Sequence, residues 1–496
     1  MLFSAQCFSG ARCSRSTRLS ISASLTDTYP SHRAGSHRLS LRVVILTIIC
    51  MFGSVFAHAT TYYLSPSGND SNNGLSTNYA WASPNHSLNC GDVILASAGW
   101  YNNANFYTGK WGYVNCPAGN SVAWLKCATF DTCKIYASAN QGMWVDRSYW
   151  GVQGWEVSTN ANDSYGACFL AAPNWNNPVT IHHIIFANDV ANGCSQSGFE
   201  SVNRGYAGVD YFNVIGSVAY NAAQGSNTCA SGISVLQPVQ SDWAAGTHIL
   251  IAGNFSYANM EPSYCNGGSP TDGEGIIFDN FDGHQSGIAP YGGQAVAYRN
   301  ILIGNGSKGI EVDGNQAGTY HASVWLNQNT AWGNNSATNQ TWIGCAEISV
   351  YAAKDVHSFG NIAAARSATG CGGNAIYGMT VSVADGSDTA DNNYAFGYNG
   401  NNIFVWDVGS FFWNSDNHFT SPAFRNAYVP GAPNCGGTAN VSACMAGMVY
   451  DFTPTAANAG GYGYQPPLSY SVADPLFPRW LCSANLPSGL ITMGCS

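Results

Sequence analysis

The chain is 496 residues long, with a net charge of −10, only 9% charged residues and 56 glycines. So few Glu, Lys and Arg residues exclude coiled coils and helical bundles, while 45% hydrophobic residues exclude intrinsic disorder. The negative charge argues against a nucleic-acid partner, because neutralising phosphates requires clustered Lys and Arg. The composition indicates a soluble, Gly-rich, β-rich protein.

Residues 1–59 have the features of a secretory signal region. Their apolar run, Val43 to Phe56, follows three arginines and precedes Ala57-His58-Ala59, an A-x-A site. At about 14 residues the run is short for a membrane span. We expect cleavage near Ala59, with an over-called start codon or a long targeting extension accounting for the earlier residues. The mature chain is predicted to be secreted, extracellular or periplasmic, without a membrane span.

Residues 60–496 contain 14 cysteines, and an even number in an exported protein indicates disulfides. We expect no free thiols. Pairing of neighbours is the simplest arrangement, although spacing alone leaves other connectivities open. The neighbouring pairs are Cys90/Cys116, Cys127/Cys133, Cys168/Cys194, Cys345/Cys371, Cys435/Cys444 and Cys482/Cys495. The absence of a C-x-x-C motif argues against a metal–thiolate site.

A loose repeat extends from about residue 180 to residue 400. Pairs of asparagines keep a spacing of five at Asn254/Asn259, Asn300/Asn305 and Asn329/Asn334, and a short strand follows each pair. Successive strands begin 34, 43, 34 and 38 residues apart. Repeats of this length, with period-two alternation and no helical periodicity, predict a parallel β-helix. Residues 60–496 would form one such domain, with disulfide-stapled loops and an irregular C-terminal segment; a sandwich or propeller is the alternative.

The segment before the repeat carries a resemblance. It reads Tyr62-Tyr63-Leu64-Ser65-Pro66-Ser67-Gly68-Asn69-Asp70-Ser71-Asn72-Asn73-Gly74, then Trp81, Gly91-Asp92-Val93-Ile94-Leu95 and Gly99-Trp100-Tyr101. With Asp474-Pro475-Leu476-Phe477 near the other end, it resembles secreted pectate-lyase-like proteins, including the family 9 polysaccharide lyases. The resemblance implies an all-β fold, a single-stranded right-handed parallel β-helix. It also implies activity on a polysaccharide, with calcium bridging enzyme and uronate.

The densest group of acids lies on the coil from Asp272 to Asp282. Alternation along a strand places Asp279 outward if Phe278 is inward, and on the next coil it places Glu311 and Asp313 outward. We expect Asp272, Glu274, Asp279, Asp282 and Asp313 to form a carboxylate-lined calcium site, because Ca²⁺ takes six to eight oxygen ligands. Glu347 or Ser349 would continue the outward face, and His284 and His321 flank it.

Three functions remain open for these acids. A calcium-dependent lyase needs a base, and Lys308 and Arg299 are the nearest cations. A glycoside hydrolase would use Asp279 and Glu311 as acid and base. A non-catalytic carbohydrate-binding or surface protein would need neither a base nor an acid pair, and the acids would then form a solvated face in which Asp and Glu cap turns. We therefore predict Glu311, Lys308 and Asp279 as catalytic, and Arg299, Tyr291 and Trp332 as substrate-binding.

The resemblance has one departure from the family pattern. Family 9 lyases place a catalytic Lys in a Gly-apolar-Lys-apolar strand, but here that slot reads Gly309-Ile310-Glu311-Val312. Residues 60–496 also carry a net charge of −15, which repels a polyanion unless a cation screens it. The first expectation is a lyase with calcium as cofactor, acting as a monomer on an extracellular polysaccharide.

Overall fold

In the computed structural model, the chain winds through three long sheets whose neighbouring strands are all parallel. Each strand pairs with the equivalent strand one coil earlier and one coil later, so one coil consists of one strand from each sheet. This is a right-handed parallel β-helix, the hand that parallel crossovers take. The predicted fold class is confirmed, and the sandwich and propeller alternatives are excluded.

We name the sheets in the order in which each coil visits them. Sheet A consists of Thr61–Leu64, Val93–Ala96, Ala123–Cys127, Trp150–Gln153, Ile181–Ala187, Val209–Ile215, Thr247–Ala252, Gln294–Tyr298, Val324–Asn327, Val356–Phe359, Thr389–Asp391 and Phe412–Trp413. Sheet B consists of Gly99–Tyr101, Cys133–Ala137, Trp155–Thr159, Val190–Asn192, Val218–Tyr220, Phe255–Tyr257, Ile301–Ile303, Thr330–Trp332, Ile362–Ala364 and Tyr394–Phe396. Sheet C consists of Met143–Val145, Phe169–Ala171, Phe199–Val202, Ile233–Leu236, Ile276–Asp279, Ile310–Asn315, Ala346–Ala353, Tyr377–Ser382 and Ile403–Trp406.

Short elements complete the described structure. Three small sheets pair Leu88–Asn89 with Val114–Asn115, Thr369–Gly370 with Asn374–Ala375, and Ser469–Tyr470 with Thr492–Met493. Single 3-10 turns are Thr77–Tyr79, Asn103–Asn105, Cys371–Gly373, Tyr398–Gly400 and Arg479–Ser483. Helix α1 is Val441–Asp451. Among the described residues, no helix combines the length and the apolar character that crossing a membrane requires.

The described residues are 59–496, and Ala59–Ser496 form one compact unit. The gaps are residues 118–120, 162–165, 226–228, 262–271, 285–286, 316–320, 338–344, 368, 383–386, 407–411, 414–415, 428–440, 457–458, 465–468, 471–478, 485, 487–491 and 494–496. The apolar run of the predicted signal and the segment 474–477 lie outside the described residues, as do Cys265, Cys435 and Cys495.

The core lies inside the coils, where alternate residues of all three sheets meet. It includes the inward strand residues and a set of stacked rings; Phe169 and Phe199 of adjacent coils, for example, stack with centroids 4.8 Å apart. That distance is the spacing between parallel strands, so identical inward positions contact each other from coil to coil. Each coil therefore buries its apolar side chains mainly against its two neighbours.

The paired asparagines of the sequence repeat form two ladders inside the turns that flank sheet B. At the A-to-B turn, each Nδ2 donates to the next Oδ1 at 2.8–3.1 Å, through Asn254, Asn300, Asn329, Asn361, Asn393 and Asn417. At the B-to-C turn, the second ladder runs through Asn259, Asn305 and Asn334. The ladder asparagines are almost fully buried. The spacing of five thus separates the two corners of one coil.

Disulfides close the coil edges as neighbour pairing predicted. Bonds join Cys90 to Cys116, Cys127 to Cys133, Cys168 to Cys194, and Cys345 to Cys371. The remaining described cysteines, Cys229, Cys444 and Cys482, are disulfide-bonded as well.

Replacing Asn300 by Ala should lower the free energy of unfolding. Asn300 accepts from Asn254 and donates to Asn329 and to the carbonyl of Ile251. Its loss leaves buried partners unsatisfied, each costing about 1–3 kcal/mol. Chemical denaturation measures the change, with Asn176→Ala at an exposed loop tip as the control. Equal stability of the two variants would show that the ladder contributes nothing.

Candidate functional site

The outward face of sheet C carries two rows of side chains that are in register from strand to strand. The first row holds Glu200, Ser234, Ile277, Glu311 and Ser349, and the second holds Leu236, Asp279, Asp313 and Tyr351. Asp279 and Asp313 are direct partners on adjacent strands, about 4.8 Å apart along the helix axis. Alternation along the strands thus placed Asp279, Glu311 and Asp313 on the expected face.

We call Asp272, Glu274, Asp279, Asp282, Glu311 and Asp313 the acidic patch. Its members interact electrostatically: burial first, then Asp272 and Asp313, raise the pKa of Asp279 well above its ordinary value. Burial likewise raises the pKa of Asp313 to about 6, although Lys308 opposes the shift. Asp279 and Asp313 are only partly buried. The patch therefore offers two accessible carboxyl groups that hold protons more tightly than usual.

Lys308 lies beneath the patch. Its Nζ is 2.9 Å from Oε2 of Glu311 and 3.6 Å from Oε1 of Glu274, and its side chain is 3% exposed. Burial would lower the pKa of Lys308, but Glu311 and Glu274 together outweigh burial and raise that pKa. A protonated, enclosed ammonium cannot take a proton from a substrate. The enclosure argues against Lys308 as the base, and its catalytic role stays a prediction; in this structure Lys308 neutralises the buried end of the patch.

Glu311 shares this enclosure. It is 5% exposed, and burial raises its pKa well above the ordinary value even though Lys308 opposes the shift. As the partner of Lys308, Glu311 lies next to the accessible acids without being open itself. Its predicted role as a catalytic group stays a prediction, and Asp279 and Asp313 are better placed to contact a ligand.

An imidazole lies at the exposed edge of the patch. Nδ1 of His284 is 2.6 Å from Oδ1 of Asp282, and the His284 side chain is 52% exposed while that of Asp282 is 6% exposed. The main chain at Gly314, next to Asp313, lies close against the ring, since a Cβ there would be 3.1 Å from Cε1 of His284. If Nδ1 carries the proton donated to Asp282, Nε2 is the acceptor that faces outward. The arrangement is that of a base oriented by a carboxylate.

The sequence located His284 beside the acidic coil without predicting its partner. The signal available was the spacing Asp282-Gly283-His284, since Gly283 has a φ of 67° and turns the chain so that the two side chains meet. Glycine adopts this conformation without steric cost.

The structure places the predicted calcium ligands in different surroundings. Glu274 is fully buried and accepts from Oγ of Ser231 at 2.7 Å, and Asp282 is engaged by His284. Carboxylate oxygens suit Ca²⁺ chemically. Within the described part of the chain, however, no three His, Cys, Asp or Glu side chains are already arranged to hold a metal ion. Calcium binding by Asp272, Glu274, Asp279, Asp282 and Asp313 stays a prediction.

None of the three predicted substrate-binding residues lies on a strand of sheet C. Tyr291 is fully buried and donates its hydroxyl to Asp210 at 2.7 Å. Trp332 is on sheet B and packs against Phe452, which follows helix α1. Arg299 follows a strand of sheet A, where its Nε donates to Gln328. Proximity in sequence to the acidic coil thus did not place these residues on sheet C, and their role in substrate binding stays a prediction.

Glu347 also differs from the expectation that it or Ser349 continues the outward face. Ser349 does so, but Glu347 is fully buried and ends the second ladder, its Oε2 accepting from Nδ2 of Asn334 at 2.6 Å. Burial raises the pKa of Glu347 to about 8, although its hydrogen bonds with Asn334 oppose the shift.

Comparisons with known proteins found similar solved structures. No family model and no curated protein matches the chain. It is similar to the solved structure of pectate lyase Pel9A, with 18% identity, a TM-score of 0.39, and coverage of 74% of this chain and 82% of that one. It is similar to the A-module of mannuronan C-5 epimerase AlgE4 from Azotobacter vinelandii, with 11% identity, a TM-score of 0.35, and coverage of 66% and 91%.

A third solved structure, the PL6 family alginate lyase AlyGC, has 10% identity, a TM-score of 0.34, and coverage of 77% of this chain and 58% of that one. The three all-parallel sheets confirm the predicted resemblance to pectate-lyase-like β-helix proteins. At these identities the likeness concerns the fold, and the reaction has to be argued from the side chains.

Replacing Glu347 by Gln should flatten the pH dependence of stability. The pKa of Glu347 rises from 4.5 to about 8 on folding, so its favourable contribution is complete below pH 4.5 and is lost as the pH rises through 8. Gln keeps an acceptor for Asn334 but does not titrate. Urea unfolding at pH 5 and pH 8 should show a smaller loss in the variant than in the parent. An equal loss would mean that Glu347 does not titrate in this range.

Proposed function

We propose that this chain is a secreted enzyme that cleaves an acidic polysaccharide by β-elimination at the acidic patch of sheet C. The observation that carries the proposal is the exposed His284, held by Asp282, beside the in-register carboxyl groups of Asp279 and Asp313. β-Elimination from a uronate needs a base for the proton α to the sugar carboxylate. It also needs positive charge to stabilise the carbanion that develops there.

In this proposal His284 is the base. Its Nε2 accepts the proton, because imidazole is the side chain best suited to proton transfer near neutral pH. Asp282 fixes the ring orientation and stabilises the imidazolium that forms. The electron pair of the broken C–H bond then forms a carbon–carbon double bond, and the bond between the β carbon and the glycosidic oxygen breaks. That oxygen leaves with the bonding electron pair and takes a proton from solvent water.

Asp279 and Asp313 would hold a calcium ion together with other oxygens of the patch. When bound, the ion would supply positive charge to the uronate carboxylate and so make the α proton more acidic. The donors fit in their chemistry, since they are carboxylates whose pKa values neighbouring acids raise by repulsion, Asp272 and Asp313 for Asp279, and Asp282 and Glu274 for Asp313. The net charge of −15 on residues 60–496 is a second reason to expect a cation when the substrate is a polyanion.

Glycoside hydrolysis is the second candidate, and one observation favours it. Asp279 and Asp313 are partners on adjacent strands, and a strand spacing of about 4.8 Å is close to the ~5–5.5 Å separation of carboxyl groups in retaining glycosidases. In that reaction His284 would not be required. The disulfides support export in either case.

Replacing His284 by Gln distinguishes the two reactions. If the chain is a lyase, the variant should lose at least about 100-fold in kcat on a uronate polymer such as polygalacturonate, because general-base catalysis contributes about 10²–10⁴-fold. Ultraviolet absorbance detects the unsaturated product of elimination, and a reducing-end assay detects all cleavage.

The matched control is His357→Gln, since His357 forms a comparable pair with Asp355 on sheet A. Hydrolysis rather than elimination would be the reaction if cleavage produces no ultraviolet absorbance. In that case cleavage should be retained in the His284 variant and lost in Asp313→Asn. Binding without any cleavage would contradict both reactions.

Calcium should raise the thermal midpoint, and Asp279→Ala should remove most of that increase. A bound cation relieves the repulsion among the acids, and at about 100 times the dissociation constant a ligand stabilises by roughly 2.7 kcal/mol. Thermal unfolding with calcium and with chelator measures the effect. Asp416→Ala, a change remote from the described patch residues in sequence, serves as a control. If calcium changes neither the thermal midpoint nor the activity, the cation has no place in the proposal.

A further inference from the structure

The loops that connect sheet C to sheet A form a cavity at the N-terminal end of the β-helix. The cavity has a volume of about 220 Å³ and is lined by Tyr113, Asp146, Arg147, Tyr149, Asn174 and Asn177, among others. Tyr113 is 69% exposed, and its ring lies 4.9 Å from the guanidinium carbon of Arg147. The cavity thus has aromatic and amide walls together with a charged pair.

The charged pair lines the cavity and has unused hydrogen-bonding capacity. Asp146 is 2% exposed, and its Oδ2 accepts from Gly109 N at 2.8 Å and from Asn174 Nδ2 at 3.1 Å. Among the described residues, neither Oδ1 of Asp146 nor Nε of Arg147 has a hydrogen-bond partner, although both atoms are buried. An unsatisfied buried polar atom is costly. A ligand that presents one donor and one acceptor would relieve both.

Strand register connects this cavity to the acidic patch. Val145 aligns with Phe278 through the three intervening strands of sheet C, so the residues that follow them, Asp146 and Asp279, lie on the same edge of the helix. They are four coils apart, or about 19 Å at about 4.8 Å per coil. One coil advances by close to the length of one sugar residue, so a chain of about four residues spans the distance.

Each of the three intervening coils presents an exposed aromatic ring from its C-to-A loop. Trp175 is 64%, Tyr206 is 85% and Trp243 is 72% exposed. The first two lie at the tips of tight loops closed by the bridges Asn174↔Asn177 and Arg204↔Ala207. The guanidinium of Arg204 stacks 4.3 Å from the ring of Trp175 and so holds it from the next coil.

We propose that the cavity and these three rings form an extended binding track for a polysaccharide, leading to the acidic patch. Sugar rings stack on the exposed aromatic faces, as apolar ring faces do on aromatic side chains. At the far end, a sugar hydroxyl donates to Oδ1 of Asp146, and a hydroxyl or carboxylate oxygen accepts from Nε of Arg147. The track rests on the proposed function for its substrate class, but its binding role does not depend on which reaction follows.

Two single variants and one control test the track. Trp175→Ala and Tyr206→Ala should each weaken binding of polygalacturonate roughly fivefold to tenfold, the effect of losing one aromatic contact. Trp100→Ala is the matched control, because Trp100 is also 64% exposed but lies on sheet B. Isothermal titration with the polymer, in the calcium-free protein and again with calcium, measures binding without relying on turnover.

The length of the sugar chain distinguishes this inference from the proposed function. If the protein is active, both variants should raise KM for the polymer. Trp175→Ala should raise KM for a trisaccharide less than KM for the polymer, because at one sugar per coil a trisaccharide that starts at the acidic patch ends one coil before Trp175. If the protein is active and both variants have the KM and the polymer affinity of the parent, the track is overturned while the proposed function stands. Inactive protein whose polymer binding falls in both variants, but not in Trp100→Ala, would remove the proposed reaction while retaining the track.

Discussion

The regular stacking of one coil on the next is the constraint on which the rest of the molecule depends. Parallel strands must stay in register over many coils, and the buried asparagine ladders at both ends of sheet B hold the turns to a constant spacing. Each asparagine amide satisfies its neighbours along the axis, so the turns can be buried without unsatisfied polar groups. The same register sets Asp279 beside Asp313 and aligns Asp146 four coils away on the same edge.

The chain has few charged residues, and several of them form a group on sheet C in which some are enclosed and others are exposed. Lys308 neutralises Glu274 and Glu311 beneath sheet C, whereas Asp279 and Asp313 remain partly open and retain raised pKa values. The division follows from burial: an enclosed acid needs a partner, while an accessible one can be stabilised by a ligand. In the proposed elimination, the exposed His284 takes the role of base beside the enclosed Lys308.

The C-to-A loops add length to the candidate site. They carry His284 at one point of the helix and exposed aromatic rings on the three preceding coils, ending at the cavity beside Asp146 and Arg147. Loops are free to vary while the strands beneath them are fixed, and they therefore carry recognition groups on a rigid base. An extended, periodic ligand matches a periodic scaffold, and this match is the physical basis of a polysaccharide track.

The sequence by itself predicted the parallel β-helix and the outward orientation of Asp279, Glu311 and Asp313, and it offered neighbouring disulfides as the simplest of several pairings. These features depend on local periodicity: a repeat of five between asparagines, short cysteine separations and alternation along a strand. Only the tertiary structure decided that Lys308 is enclosed, that Glu347 ends a ladder, and that Tyr291, Trp332 and Arg299 lie away from sheet C. Only it joined His284 to Asp282 and aligned Asp146 with Asp279. Burial and packing within and between neighbouring coils decide these positions, and the irregular length of the connecting loops hides the alignment of Asp146 with Asp279 in the linear chain.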